Sequence, residues 1–166
     1  MGSWGLPRHL IVETEMKKLL TRSAFVAVIL LLAIQLVPAD RANPPAKLEI
    51  PATAEVRAVL ERSCYDCHSN HTRWPWYSYV APASWFVIGH VRDAREDLNL
   101  TEWPLMDTEG QLFFLGEMRK QIEEKNMPLK SYILLHWGAR LSDADRDLLL
   151  AWVDEEIGLL SDSAWP

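Results

Sequence analysis

Cys64-Tyr65-Asp66-Cys67-His68 holds both cysteines of this 166-residue chain, with a histidine directly after the second. Two thiols three positions apart lie on one helical turn, within reach of both vinyl groups of a single porphyrin. The adjoining imidazole then falls under the iron. Cys-x-x-Cys-His reads as c-type haem attachment, with His68 the proximal ligand. Three readings compete with it. A zinc knuckle would use Cys64 and Cys67 as thiolates and draw on His71 and His90. A thioredoxin-like pair expects a βαβ setting, and no strand pattern flanks this stretch. The third is two buried cysteines beside a surface histidine.

Export of the chain raises haem above zinc. Met16-Lys17-Lys18-Leu19-Leu20-Thr21-Arg22 precedes an apolar run from Ala24 to Ala39, interrupted by Gln35 and Pro38. Lysines, an apolar core and small residues form the layout of a secretory signal. The run is 16 residues, between an ordinary signal core and the roughly 20 residues that span a bilayer. Val37-Pro38-Ala39 makes a poor cleavage site because of Pro38. The expectation is therefore an uncleaved single-span anchor over residues 17–39, with secretion after cleavage as the alternative. Arg8, Lys17, Lys18 and Arg22 leave the amino end in the cytoplasm, so the rest of the chain faces the periplasm. Residues 1–16 read as a short cytoplasmic tail or an over-extended start, since Met16 opens a natural lysine-rich beginning. Trp4 and His9 carry no functional expectation.

Four of the 17 basic and two of the 23 acidic residues precede residue 40, leaving 13 and 21, a net charge of −8. No basic stripe exists to neutralise phosphates, which argues against nucleic acid as a partner. An acidic surface either steers toward a basic redox protein or only keeps the domain soluble.

Residues 40–51 contain Pro44, Pro45 and Pro51 and read as a stiff linker lifting a domain of residues 52–166 off the membrane. Four helices are expected in that domain. The first is capped by Thr53 and carries Val56, Val59 and Leu60 into Cys64. The second follows Pro82 and carries Trp85, Val87, Ile88, Val91, Ala94 and Leu98 at helical spacing. A third starts near Thr108, paired with Gln111 in a capping box, and carries Leu112, Leu115, Met118 and Ile122. The last opens at Ser142, with Asp143 and Asp145 in its first turn, and buries Leu148, Leu149, Trp152, Val153 and Ile157. No run alternates apolar and polar residues, so the fold class is all-α. Trp74-Pro75-Trp76-Tyr77-Ser78-Tyr79-Val80-Ala81-Pro82 is a rigid aromatic loop, either a wall at the haem edge or ordinary core filling.

A second axial ligand would make an electron carrier; an open position would admit substrate or gas. Methionine opposite histidine is the ligation of cytochromes c. Met127 is the first candidate, because Pro128 stops the helix and holds the thioether in a loop. Met106 also sits in a loop, whereas Met118 lies on an apolar helix face. Histidines compete for the position: His90 lies near the Val87–Val91–Ala94 face, His136 is nearer to Met127 in sequence and could reach a propionate instead, and His71 is too close to His68 to circle to the other side.

Cys64-Tyr65-Asp66-Cys67-His68-Ser69-Asn70, Thr72, Trp74-Pro75-Trp76-Tyr77 and Ala81-Pro82 together resemble the bacterial haem-binding domain family. His90-Val91, Leu98-Asn99, Trp103, Met127-Pro128, Tyr132, His136 and Leu141-Ser142 extend the resemblance over residues 55 to 155. It implies an exported single-haem protein with one amino-terminal membrane segment. The stretch from Met127-Pro128 through Leu141-Ser142-Asp143-Ala144-Asp145 is similar to class I cytochromes c, which implies a cytochrome c-like domain with Met127 as distal ligand. Those proteins place glycine two residues before the methionine; this chain has Lys125, which keeps His90 in contention. The expectation is a membrane-tethered, periplasmic monohaem cytochrome c that exchanges single electrons with an unidentified redox protein. The alternatives are a peroxidase-like haem enzyme and a haem-based redox or gas sensor.

Overall fold

A computed structural model describes residues 8–46 and 48–163; residues 1–7, with Trp4, lie outside the described residues. Regular structure among the described residues is helical, without a strand, and the all-α class is what the hydrophobic spacing predicts. Helix α1 (Arg8–Ala33) runs on through a 3₁₀ turn, Ile34–Leu36. It continues without a break past Met16, where the sequence suggested a separate tail. A stretch long and apolar enough to cross a membrane covers Val12–Leu36, 25 residues.

Helix α2 (Ala54–Ser63) starts as expected. The Thr53 hydroxyl accepts from the Val56 amide, and Val56, Val59, Leu60 and Ser63 are the buried face. It breaks at Cys64, whose φ of −125° leaves the helical region, and resumes as the single turn α3 (Tyr65–His68). Helix α4 (Ala83–Asp97) follows Pro82, as the sequence indicates. Helix α5 (Thr108–Glu123) departs from the expected cap by one residue: Asp107 accepts from the Gly110 amide at 2.8 Å, and the Gln111 side chain donates instead to the Trp103 carbonyl. A carboxylate at the N-cap meets both the bare amides and the positive helix end. A short helix not anticipated from sequence, α6 (Lys130–Leu135), follows Met127-Pro128. Helix α7 (Asp143–Ser163) opens on a reciprocal capping box. The Asp145 amide donates to the Ser142 hydroxyl, and the Ser142 amide donates to the Asp145 carboxylate. That carboxylate also receives Arg62 of α2 at 2.9 Å, fixing the start of α7 against α2.

Leu60, Leu115, Leu149 and Val153 are wholly enclosed where α2, α5 and α7 meet. Each such side chain contributes roughly 1.5–3 kcal/mol. The residues read as a stiff linker are strapped to this body. Ile50 is buried in the core and its amide donates to the Leu100 carbonyl. Asn43 donates to the Thr72 carbonyl and Arg41 to the Ser78 carbonyl. Prolines keep the segment extended, and its polar groups find partners on the domain surface.

Candidate functional site

The break at Cys64 sets the geometry of the motif. The Cys67 and His68 amides both donate to the Cys64 carbonyl, at 3.1 and 2.9 Å, so the two thiols and the imidazole share one turn. Both thiols are half-buried and neither is in a disulfide. Burial first, then the neighbouring Cys67 sulfur, pushes the Cys64 thiol up to about 12. Burial, then the Asp66 carboxylate, pushes Cys67 up to about 11. Thiols held neutral at pH 7 are the opposite of the depressed values that make a reactive redox pair.

His68 is held from behind. Its Nδ1 lies 3.0 Å from the Ala94 carbonyl and 3.1 Å from the Leu98 carbonyl at the end of α4. Both partners only accept, so Nδ1 carries the proton and the Nε2 lone pair is free. Burial lowers the imidazole pKa, opposed in part by the two backbone bonds, which keeps the ring neutral. A neutral imidazole with one nitrogen donating to carbonyl oxygen is the arrangement found behind metal-bound histidines.

Those carbonyls are fixed by a buried polar network that sequence reading passed over. The Leu100 amide donates to the His68 carbonyl, and the Asn70 amide to the Thr101 hydroxyl. Asn99 donates to the Asn70 side chain and accepts from both the amide and hydroxyl of Thr101. Arg95 donates to the Ser69 carbonyl, to the Thr72 hydroxyl, and to Ala42 and Asn43 of the strap. Replacing Asn99 with alanine strands several buried donors and acceptors. The expected loss, on the order of 2–3 kcal/mol, is measurable by denaturant unfolding.

On the other side of the motif, Asp66 accepts from the Tyr132 hydroxyl at 2.7 Å and from the backbone and side chain of Arg73. Burial and then this hydrogen bond raise the Tyr132 pKa far above its ordinary value, so the phenol keeps its proton and donates it. Tyr132 lies in α6, and its bond draws the segment after Met127 onto the Cys-x-x-Cys-His turn. Met127 itself is half-buried, and a Schellman motif places it. The Asn126 amide donates to the Gln121 carbonyl and the Lys125 amide to that of Ile122. Lys125 takes φ 57°. The position where class I cytochromes c carry glycine therefore has the left-handed backbone that glycine favours, with lysine in its place. Replacing Lys125 with glycine relieves a Cβ clash, so we expect a stabilisation of about 0.5–1 kcal/mol, read from the urea midpoint. The exposed Lys125–Asp143 pair, 4.0 Å apart, is too open to offset that gain.

The histidines separate cleanly. His90 does not point inward with Val91. It is exposed on α4, with its Nδ1 near the Phe86 carbonyl and its ring 4.1 Å from that of Phe86. Val91 takes the buried place on the stripe, and His90 lies just beyond its edge. His71 stacks over Tyr65 and faces Glu49. His136 stacks on Tyr132 at 4.2 Å, with Tyr77 of the aromatic loop edge-on at 6.1 Å. Among the described residues no cluster of three His, Cys, Asp or Glu that could hold a metal is found, and His71 and His90, which the zinc reading draws on, lie at Glu49 and Phe86. The aromatic loop divides its duties: Tyr77 is half-buried near Cys67 and Asp66, and burial raises its pKa, while Trp76 is exposed. Trp74 Nε1 is a buried donor without an acceptor from the chain. Neutral thiols on one turn, a free Nε2 on a backed imidazole and an orphaned donor all suit a haem with carboxylate side arms.

The fold and this donor set define an all-α haem-binding protein, and the comparisons agree. The sequence profile of the haem-binding domain matches residues 29–155, and the chain belongs to that family. It is also similar to Cytochrome c peroxidase Ccp of Escherichia coli (strain K12), 24% identical over 124 residues, which is 70% of this chain and 27% of the relative. The chain thus spans about a quarter of that relative's length. No solved structure matches.

Proposed function

We propose that this protein is a membrane-tethered c-type cytochrome with one covalent haem, carrying single electrons on the periplasmic side of the inner membrane. Cys64 and Cys67 would each add across a vinyl group, sulfur to one carbon and hydrogen to the other, which needs no oxidant. His68 would offer Nε2 to the iron and Met127 its thioether on the opposite side. The haem supplies one-electron redox chemistry. The chain's own residues keep His68 neutral, fix its tautomer through Ala94 and Leu98, and hold the Met127 loop against Asp66 through Tyr132. The observation that carries the reading is the double backbone bond to His68 Nδ1 beside two neutral thiols. Its redox partner would be a basic protein steered by the acidic surface.

A second reading has one observation in its favour, the similarity to a relative named as a peroxidase. It needs an open sixth position and a distal acid–base group. The outward-facing His90 is badly placed for that role. The absorption spectrum of the purified ferric protein separates the two. A low-spin spectrum with a long-wavelength methionine–iron band supports the carrier; a high-spin ferric spectrum at rest overturns it in favour of an enzyme or a sensor.

A further inference from the structure

The end of the apolar helix is bolted to the haem domain at one place. Gln35 Nε2 donates to the Ala81 carbonyl at 3.1 Å, and the Ala81 amide donates to Gln35 Oε1 at 2.9 Å. Nearby, Arg41 donates to the Ser78 carbonyl and lies over the Tyr79 ring, 4.4 Å from its centroid. A cavity of about 170 Å³ within this joint is lined by Gln35, Leu36, Val37, Tyr79, Ala81 and Ser84. The family match begins at residue 29, inside α1, so the last turns of the helix belong to the same unit as the domain.

This joint sets a depth. Gln35 is the penultimate residue of the stretch Val12–Leu36. If that stretch crosses a bilayer, as the proposed function holds, Ala81 lies level with its last turn, at the boundary between hydrocarbon and headgroups. The sequence around Ala81 suits that place. Residues 74–91 contain no Asp, Glu, Lys or Arg, in a region after residue 39 that carries 34 such residues in all. Trp76, Tyr79 and Phe86 are 78%, 59% and 60% exposed, with Val80 and Trp85 also open to solvent. Exposed large apolar side chains this close in sequence, with Arg41 over Tyr79 as the one charge described against them, are atypical of a water-facing surface. Trp and Tyr are the residues that settle at the headgroup level. An acidic domain is repelled by an anionic leaflet except through a face of this kind.

We propose that the segment Trp76–Phe86 is a second membrane contact. It seats in the outer-leaflet interface beside the exit of α1 and holds the haem domain on the bilayer in a fixed orientation. The domain is then not a freely swinging carrier, and its electron partner must approach along the membrane plane or from the opposite face.

The test uses full-length haem-loaded protein in vesicles of phosphatidylcholine with phosphatidylglycerol. With Cys64 and Cys67 consumed as thioethers, single cysteines introduced by Trp76→Cys, Phe86→Cys, Phe113→Cys or Leu30→Cys each take one polarity-sensitive fluorophore; wild type serves as the labelling blank. Unchanged haem spectra verify that each variant folds. The readout is the loss of emission when plain phosphatidylcholine is replaced by its chain-brominated form, which leaves any quenching by haem the same. Labels at 76 and 86 should be quenched severalfold more than the label at exposed Phe113, and the label at 30 should be quenched as well. A quenched label at 30 with 76 and 86 no different from 113 overturns the seat while leaving the anchor intact. An unquenched label at 30 overturns the anchor itself, and the seat with it. Equal quenching at 76, 86 and 113 means general adsorption and also overturns the proposal. So does shielding of 76 and 86 from an aqueous quencher in native membranes but not in pure lipid, which marks the face as a protein contact.

Discussion

Replacing both Cys64 and Cys67 with serine is expected to abolish covalent haem completely. Acid–acetone extraction should leave a colourless polypeptide whose mass equals that of the bare chain. The wild type should stay red and carry the mass of one haem. The physical ground is the turn that starts at Cys64, where both thiols and His68 are gathered by amides donating to a single carbonyl. A single substitution, at either position, should leave one thioether and a red protein, because the other sulfur and the imidazole keep their places. Serine is close to isosteric, so the loss reads chemistry rather than packing. If the wild-type chain itself emerges bare from extraction of cells competent in cytochrome c maturation, haem is held without thioethers and the c-type assignment falls. Family membership alone does not decide this, since it rests on haem binding.

How much of this was legible beforehand depends on the range of the interaction. Thr53 and Ser142 were recognisable as caps because an N-cap and its partner lie within three residues. The buried face of α2 followed from helical spacing alone, and so did Leu149, Trp152 and Val153 of α7; Leu148, expected on that face, is exposed because it lies at the edge of the stripe that those three residues form. Asp107 and Thr108 are both competent caps side by side, and the choice between them is made by backbone placement that no pattern of residue types encodes. His90 was left open for a related reason: it lies at the margin of the Val91 stripe, where a small rotation of the helix decides between core and solvent. The partners across the chain were invisible. Tyr132 and Asp66 are 66 positions apart, and Gln35 and Ala81 are 46 apart. Hydrophobic periodicity reports which side of an element faces the core, not which polar group meets which. Lys125 is the instructive case. Its side chain marks a departure from the glycine of class I cytochromes c, yet its φ of 57° reproduces the backbone. The Schellman bonds from Lys125 and Asn126 to α5 carry that turn with lysine in it.

The proposed ligation by Met127 carries the second large effect. Met127→Ala should remove the long-wavelength band of the ferric protein and lower the reduction potential by about a few tenths of a volt, within the roughly 0.8 V range that axial ligands span. A thioether favours ferrous iron and raises the potential; water or a nitrogen ligand in its place does not. The proposal of Met127 draws support from how His68 is held. Nδ1 and Nε2 lie on opposite sides of the imidazole, and Nδ1 is committed to the carbonyls of Ala94 and Leu98. The carboxyl end of α4 therefore stands behind the ring, and Nε2, which would hold the iron, points away from it. His90 belongs to α4 and is exposed beside Phe86, so it is on the wrong element to close the far side. The segment that docks on the other flank of the motif is the one leading from Met127 through Tyr132 to Asp66. His90→Ala should accordingly leave both band and potential unchanged. Tyr132→Phe, which cuts the tie to Asp66 while keeping the ring against His136, should weaken the band without abolishing it. Spectra and a redox titration of these variants, with His136→Ala beside them, decide the ligand: a low-spin wild type without the methionine band that turns high-spin in His136→Ala or His90→Ala, but not in Met127→Ala, would move the sixth position to that histidine.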